Sequence, residues 1–296
     1  MLDKLATETR NKNSMDLDKL TTYEILTKMN QEDASVAESV REQLPEIEKA
    51  VKLVIESFQQ DGRLIYIGAG TSGRLGILDA VECVPTFGTP PDMVRGIIAG
   101  GMKAITIAVE GAEDDAGLGK KDLEELQLNE HDTVIGIAAS GRTPYVIGAL
   151  KYATGIKSNT VSISCNKNAE MSKHCQVAIE VETGPEILTG STRLKAGTAQ
   201  KLILNMISTA AMVGIGKVYQ NLMVDLKPTN LKLEERSKRI IMETTNVDYE
   251  TAATYYEKSS HQVKVAIVMI LLQCSKEEAI TKIHESNGFV RKTLSD

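Results

Sequence analysis

The sequence has few of the features that mark nucleic-acid-binding proteins. It contains no tryptophan and three phenylalanines, and no dense run of lysine and arginine alternates with aromatic residues. The formal net charge of the 296 residues is -6 at pH 7. Nucleic acid is therefore not an expected partner, because its phosphates select basic surfaces.

Cysteine pairs and long apolar segments are also missing. The four cysteines form no Cys-x-x-Cys motif, which predicts reduced thiols and neither disulfides nor a zinc site. Residues 1–15 are polar, so we expect neither a secretory signal nor a membrane anchor there. The longest apolar stretch, 202–215, is too short to cross a bilayer and predicts a buried helix. We therefore expect a cytoplasmic protein with no membrane partner.

Strand-like and helix-like segments alternate through the middle of the chain. Several of the strand-like segments are apolar on both faces, which is typical of parallel strands between two helical layers. The pattern predicts an α/β fold, a three-layer α-β-α domain with a central parallel sheet of about five strands. The candidate strands are 64–67, 94–99, 133–138, 160–165 and 177–181.

The two ends of the chain differ from this middle part. Residues 1–40 are polar and helix-prone, and Thr21 with Glu24 resembles a capping box, so we expect an N-terminal helical arm. The alternating pattern occupies 41–230. Four helical segments follow, which predicts a small C-terminal helical subdomain at 231–296.

A glycine-rich turn follows the first candidate strand. Residues 68–73 contain three glycines and two hydroxyls, and a helical pattern comes next. Glycine lets the backbone approach a ligand, and the unpaired amides of a helix start attract an anion. We therefore predict that Gly70, Thr71 and Ser72 bind a sugar phosphate or a similar anion. The alternative is a turn required only for packing the strand against the helix.

A second loop repeats this chemistry after the third candidate strand. Pro144 stands where proline favours a helix start. Ligands of parallel sheets bind at the carboxyl ends of strands, so we expect both loops to face one crevice. Arg74 and Arg142 are candidates for a bidentate clamp, with a surface ion pair as the alternative for each. The loop consists of Ser140, Gly141, Arg142 and Thr143.

Two carboxylates are candidates for acid and base chemistry. Glu82 lies among apolar and small residues, and Glu113 lies between two helical segments. Two carboxyls in different settings suffice for an elimination. The alternatives are a solvent-facing side chain for Glu82 and a helix cap for Glu113 or its neighbours Asp114 and Asp115. Ser191 and Lys195, at the start of a long helix, either contact a ligand or serve only as a cap and a solvated charge.

Four motifs together resemble the N-acetylmuramic acid 6-phosphate etherase family. The resemblance covers nearly the whole chain, with no departure at the motif positions. It implies the sugar isomerase (SIS) fold, which the glucokinase regulatory protein shares, and a UBA-like C-terminal subdomain. The motifs are 66–76, 110–114, 136–145 and 184–200.

The resemblance also implies a reaction. The family consists of cytoplasmic lyases that split the D-lactyl ether of N-acetylmuramic acid 6-phosphate into N-acetylglucosamine 6-phosphate and D-lactate. By position, Glu82 matches the general acid and Glu113 the second catalytic carboxyl, taken as the base. The implied enzyme is a homodimer and uses neither a metal nor an organic cofactor. A phosphosugar isomerase and a non-catalytic sugar-phosphate sensor remain alternatives on the same fold.

Overall fold

A computed structural model describes residues 5–226, 228 and 231–295. The predicted boundary at 230, the first four residues of the predicted arm and the last residue of the predicted subdomain lie outside the described residues. The described chain forms two compact units. The first comprises 5–81 and 92–208, and the second comprises 82–91 and the described residues from 209 onward.

The strands and helices follow the predicted alternation closely. The strands are β1 (Leu64–Gly68), β2 (Val94–Ile98), β3 (Thr133–Ile137), β4 (Asn159–Ser164), β5 (Val177–Glu180), β6 (Val218–Tyr219) and β7 (Leu222–Met223). The helices are α1 (Thr22–Ala34), α2 (Val36–Arg41), α3 (Leu44–Gln59), α4 (Gly70–Phe87), α5 (Lys103–Thr106), α6 (Ala116–Glu125), α7 (Pro144–Gly155), α8 (Lys195–Gly214), α9 (Leu231–Thr245), α10 (Tyr249–Lys258), α11 (Val263–Leu272), α12 (Lys276–Glu285) and α13 (Val290–Thr293). None of the described helices is both long and apolar enough to cross a membrane.

The core of the first unit is a five-stranded sheet. Its strand order is β2-β1-β3-β4-β5, and all neighbouring strands are parallel. Every residue of β1 and β3 is buried. The predicted three-layer α/β fold with a parallel sheet is therefore confirmed.

Helices cover both faces of this sheet. On one face, Ser57 of α3 hydrogen-bonds Thr133 of β3, and α4 lies so close to β2 that a Cβ at Gly96 would be 2.5 Å from Cα of Ile77. On the other face, α7 packs on β3 and α6 packs on α7. The side chains alternate between the two faces because successive residues of a strand point in opposite directions.

Two glycines let α6 and α7 meet backbone to backbone. A Cβ at Gly119 would lie 2.0 Å from the carbonyl oxygen of Tyr145, and a Cβ at Gly148 would lie 2.0 Å from that of Ala116. Such distances exclude any side chain at either position. The two helices are held at a fixed separation.

The N-terminal arm packs on its own chain. The predicted capping box at Thr21 and Glu24 opens α1. The Nδ2 of Asn11 donates to the carbonyl oxygen of Pro185, and the hydroxyl of Ser14 donates to that of Ile187. These contacts tie the arm to the segment that precedes α8.

The second unit is helical apart from the β6-β7 pair. Its helices α9 to α12 lie where the sequence predicts helices, whereas α13 and the short antiparallel pair were not predicted. Strands of two residues carry too little alternation to be recognised in a sequence. A separate apolar core includes Ile241, Tyr256 and Ile267.

Candidate active site

The candidate site lies at the carboxyl edge of the parallel sheet. Gly68 at the end of β1 is level with Ile137 at the end of β3. Since β2 lies on the other side of β1, the strand order changes direction at this pair. Open α/β sheets bind ligands at such a switch point. The two glycine-containing loops therefore start side by side, as the sequence predicts.

The first turn is fixed by close packing. A Cβ at Gly73 would lie 2.6 Å from Cγ1 of Ile98 and 2.7 Å from the carbonyl oxygen of Gly68. Gly70 has a φ of +52°, a conformation that favours glycine. Gly70 is exposed and Thr71 is partly exposed. The helix α4 begins at Gly70, inside the segment 68–73 from which the sequence predicts a turn. Its glycines weaken helix propensity but are required here for close approach.

Ser72 is the buried member of the first turn. Its side chain is largely buried, and its hydroxyl donates to Oε1 of Gln200 at 2.9 Å. Gln200 lies on α8 and was not identified from the sequence. It falls inside the 184–200 motif, but a glutamine within a helix gives no signal of its own. A Cβ at Gly197 would be 3.5 Å from Cγ2 of Thr71, so the start of α8 lies against the turn.

The second loop is held at Gly141 and is more open elsewhere. Gly141 has a φ of +69°, and a Cβ there would lie 2.4 Å from Cβ of Ala169. The Ser140 hydroxyl oxygen accepts from the Arg142 backbone N–H at 3.3 Å, which leaves its hydrogen for another acceptor. Thr143 precedes α7 without capping it through its side chain. Arg142 is exposed.

Arg74 makes no ion pair among the described residues, and its predicted clamp role stays a prediction. Its guanidinium donates to the carbonyl oxygens of Ile105 and Ala104 at 2.9 Å and 2.8 Å. These carbonyls belong to α5, whose last turn leaves them without helical partners. Arg74 therefore secures a short helix, and the ion-pair alternative was wrong.

The start of α8 is a buried polar cluster. The carboxylate of Glu186 accepts from the backbone N–H groups of Lys195 and Ala196, both at 2.9 Å. Burial raises the pKa of Glu186, and these two hydrogen bonds counter the increase. The Lys195 ammonium is buried and paired with Glu32 of α1, so the solvated alternative was wrong. Ser191 is partly exposed just before this cluster.

Glu113 lies in a short turn between α5 and α6. Gly111 has a φ of +79°, and 112–114 form one 3-10 turn. The residue that caps α6 is Asp115, which accepts from the N–H groups of Gly117 and Leu118. Glu113 is exposed, and within the described residues its carboxylate has no hydrogen-bond or ion-pair partner. The helix cap in this segment is therefore Asp115 and not Glu113.

Glu82 lies on an exposed side of α4, in the part of the helix that belongs to the second unit. Its carboxylate has no partner among the residues that the structure describes. The apolar setting expected from the sequence is not present around it in the single chain, because Val81 is 60% exposed and Leu78 is 53% exposed. Cys83 is buried, as expected of a structural cysteine.

A buried carboxylate that the sequence did not reveal joins α4 to its neighbours. Asp79 is 6% exposed and accepts from the Tyr66 hydroxyl at 2.8 Å, from Asn205 at 2.6 Å and from Ser208 at 3.1 Å. Three donors satisfy its charge, so Asp79 has a structural role. In the described part of the chain, no group of three or more His, Cys, Asp or Glu side chains is arranged to hold a metal ion.

Comparisons with known proteins agree with this geometry. The glucokinase regulatory protein N-terminal SIS domain matches 46–154, and the SIS domain matches 120–210. A phosphoheptose isomerase from Neisseria gonorrhoeae has a similar structure, with a TM-score of 0.50 and 17% identity over 64% of this chain and 98% of that one. At this identity the likeness shows the fold alone.

Two curated relatives match the chain from end to end. The N-acetylmuramic acid 6-phosphate etherase of Shouchella clausii (strain KSM-K16) is 68% identical over 294 residues, 99% of each chain. The protein of the same name from Bacillus cereus (strain AH820) is 65% identical, over 99% of this chain and 100% of its own. Together with the SIS-type sheet and its two loops, these similarities show that the chain belongs to the N-acetylmuramic acid 6-phosphate etherase family.

Proposed function

We propose that this protein splits the D-lactyl ether bond of N-acetylmuramic acid 6-phosphate, giving N-acetylglucosamine 6-phosphate and D-lactate, in the recycling of cell-wall amino sugars. It is a carbon–oxygen lyase. The observation that carries this conclusion is the 68% identity over 99% of both chains with a relative of that name. The pair of glycine-and-hydroxyl turns at the ends of β1 and β3 supports a phosphorylated substrate.

The proposed reaction is an elimination followed by addition of water. In the open-chain sugar the C2 proton is acidic because C1 is an aldehyde. A base removes that proton, the C3–oxygen bond breaks, and an acid protonates the departing lactyl oxygen. Water then adds across the C2–C3 double bond of the unsaturated aldehyde. Each proton transfer lowers the barrier most when the acid and the base are already in position.

We assign Glu113 as the base and Glu82 as the acid. Both carboxylates are exposed and have no partner among the described residues, so neither must first break a hydrogen bond. The neighbouring Asp115 is occupied as the cap of α6, and Asp79 already accepts three hydrogen bonds. Because Asp115 and Asp79 already accept these hydrogen bonds, Glu113 and Glu82 are the better candidates for proton transfer.

The phosphate is proposed to bind at the two turns. Backbone amides at the starts of α4 and α7 are donors suited to an anion. The hydroxyls and the one guanidinium add hydrogen bonds to phosphate oxygens. We leave Lys195 out of this set because its ammonium is paired with Glu32, and Ser191 remains a secondary candidate. The proposed phosphate ligands are Gly70, Thr71, Ser72, Ser140, Gly141, Arg142 and Thr143.

A homodimer would supply the apolar setting that Glu82 lacks. Leu78 and Val81 precede Glu82 on α4 and are more than half exposed, and Met206 of α8 is 38% exposed. Apolar side chains grouped on neighbouring helices mark an interaction surface. We propose that a second copy covers these side chains, because removal of apolar surface from water favours association.

The proposed reaction bears on the cofactor requirement, and the cysteines bear on the compartment. The steps above need only proton transfers and water, so we propose that the enzyme requires neither a metal nor an organic cofactor. The four cysteines are free thiols, which is typical of a reducing compartment, and we propose that the enzyme acts in the cytoplasm. No role with nucleic acid or membrane is proposed.

The reaction is tested by incubating the protein with N-acetylmuramic acid 6-phosphate in H₂¹⁸O and in D₂O. We expect release of D-lactate, ¹⁸O at C3 of N-acetylglucosamine 6-phosphate and deuterium at C2. Lactate release with ¹⁸O in the lactate instead would contradict the elimination. Aldose–ketose exchange without lactate would favour an isomerase, and binding without turnover would favour a sensor.

A further inference from the structure

We propose that Gln200 is a positioning residue, which determines whether the Ser72 hydroxyl can donate a hydrogen bond to the substrate phosphate. The proposal rests on the proposed function, in which Ser72 is a phosphate ligand. Gln200 is 1% exposed, and its Oε1 accepts from Ser72 at 2.9 Å. Its Nε2 has no hydrogen-bond partner among the described residues. A buried donor without an acceptor is costly, and this one lies directly behind the turn.

The Ser72 hydroxyl has one hydrogen and can donate it only once. While Oε1 of Gln200 accepts that hydrogen, a phosphate oxygen cannot. The hydroxyl oxygen can still accept a hydrogen bond from another donor. The observed hydrogen bond to Gln200 and a hydrogen bond from the same hydroxyl to a phosphate therefore exclude each other.

Rotation of the Gln200 amide by about 180° gives Nε2 an acceptor and releases the Ser72 hydrogen. Such a rotation is possible since a terminal amide torsion has two broadly equivalent orientations. Nε2 then donates to the Ser72 oxygen, and the Ser72 hydrogen becomes available to the phosphate. The amide oxygen takes the position where the nitrogen had no partner. A buried carbonyl oxygen without a partner is less unfavourable than a buried N–H. The anion thus selects the second orientation.

The other polar contacts between α8 and α4 lack this feature. Asn205 and Ser208 both donate to Asp79, and neither side chain has an unpaired buried atom in the described structure. Gln200 is also the one of the three that contacts the turn through Ser72. The unpaired Nε2 and the contact with Ser72 therefore distinguish Gln200 from Asn205 and Ser208, which only join α8 to α4.

A double-mutant cycle tests the proposal. The dissociation constant of inorganic phosphate is measured by calorimetry for Gln200→Met, for Ser72→Ala and for the double variant. We expect Ser72→Ala to weaken binding about tenfold, as for loss of one hydrogen bond to a charged group. Gln200→Met should weaken it about fivefold, as for loss of one ordinary hydrogen bond, because Nε2 no longer orients the Ser72 hydroxyl towards the phosphate. The double variant is expected to bind no more weakly than Ser72→Ala, because Gln200 acts through Ser72. Additive effects would overturn the proposal.

The variant Gln200→Glu keeps the shape of the side chain and adds a pH-dependent readout. The introduced carboxyl group can donate to Ser72 only when protonated, and when ionised it only accepts and also repels the anion. We expect its dissociation constant, divided by that of the wild type at the same pH, to fall from tenfold or more at about pH 8 to about twofold at about pH 5. A ratio that does not change with pH would contradict the proposal.

Ser208→Ala is the matched control, since it removes a buried hydrogen bond between the same two helices. We expect it to lower the melting temperature and to leave phosphate affinity unchanged. With the sugar substrate, Gln200→Met should raise KM and leave kcat within about twofold. If Ser72→Ala leaves affinity unchanged, the phosphate role of Ser72 fails. If Ser72→Ala weakens binding and Gln200→Met does not, only the role of Gln200 fails.

Discussion

The proposed phosphate-binding turns and the two candidate catalytic carboxylates differ in how they are held. The first turn has no space for a side chain at Gly73, and the second is fixed at Gly141 against Ala169. In the single chain, Glu82 and Glu113 are exposed, and their carboxylates have no hydrogen-bond or ion-pair partner among the described residues. The two turns are thus fixed by packing, whereas the two carboxylates are not.

This difference separates two kinds of variant. Side chains added at the packed glycines of the turns are expected to affect stability together with binding, because tightly packed interiors resist added volume. Changes at the carboxylates alter the chemistry and are expected to leave stability nearly unchanged. The following predictions are ordered from the largest expected effect to the smallest.

Replacement of the carboxylates should have the largest effect on turnover. We expect Glu113→Gln and Glu82→Gln each to reduce kcat by about 100-fold or more, as for loss of a general acid or base. Their melting temperatures should stay within about 2 °C of the wild type, since glutamine has nearly the shape of glutamate and neither carboxylate has a hydrogen-bond partner among the described residues. Steady-state release of D-lactate and calorimetry check both.

The matched control for Glu113 is Glu110→Gln, an exposed carboxylate in the same loop. We expect it to change kcat by less than about twofold. If Glu110→Gln is as inactive as Glu113→Gln, or if either catalytic variant retains wild-type turnover, the assignments are wrong.

Filling the first turn should affect both stability and binding. Gly73→Ala places a Cβ 2.6 Å from Cγ1 of Ile98, and we expect a loss of about 2–3 kcal/mol in the free energy of unfolding from overpacking. Phosphate affinity should fall with it. Gly155→Ala, at a helical position with no atom within 4 Å of the added Cβ, should be neutral or slightly stabilising. Equal effects at the two positions in urea unfolding would refute the packing argument.

Removal of the buried ammonium at the start of α8 should reduce stability by about 2 kcal/mol near pH 7, as for a hydrogen bond between charged groups. Burial alone would raise the pKa of Glu32, but the hydrogen bonds from Lys195 and Asn13 outweigh it and lower the pKa. Because the folded pKa is lowered, the stabilisation is present above the ordinary pKa of glutamate and is lost as the pH falls through the folded value. The difference between Lys195→Met and the wild type should therefore shrink below about pH 4.

The exposed pair of Lys49 and Glu46 provides the control for this experiment. Lys49→Met should cost no more than about 0.5 kcal/mol in urea unfolding at either pH, as for other surface ion pairs. A difference for Lys195→Met that is independent of pH would show that Glu32 is not the group through which Lys195 stabilises the fold.

The smallest effect is expected in the second turn. Ser140→Ala removes a hydroxyl whose hydrogen is free, and we expect KM for the sugar phosphate to rise about fivefold, with kcat and melting temperature unchanged. The control is Ser158→Ala, a buried hydroxyl that donates to the Asn129 carbonyl oxygen, which should lower stability only. A rise in KM for both variants would remove Ser140 from the site.

Much of the fold could be predicted from the sequence, since continuous apolar strands and helical periodicity are local patterns. The parallel sheet, the helix starts at Thr21 and Pro144 and the neighbouring positions of the two loops all follow from such patterns. The relationship of Gln200 to Ser72 could not be predicted, because the two residues are 128 positions apart and meet only through packing.

The same limit applies to charged groups. From the sequence, Lys195 is a ligand contact or a solvated charge, and Arg74 is a clamp or a surface ion pair. Only the fold buries Lys195 beside Glu32 and directs Arg74 to the carbonyls of α5. Asp115 and Glu113 are two residues apart, and only the fold shows that Asp115 is the one that caps α6. Burial and partner choice are properties of the folded chain.

The backbone contact between α6 and α7 joins two parts of the proposed site. Glu113 lies just before α6, and the second turn leads directly into α7. Since Gly119 and Gly148 leave no space between these helices for a side chain, we propose that the packing of α6 on α7 sets the distance between Glu113, the proposed base, and the proposed phosphate ligands of the second turn. A side chain introduced at either glycine would change that distance.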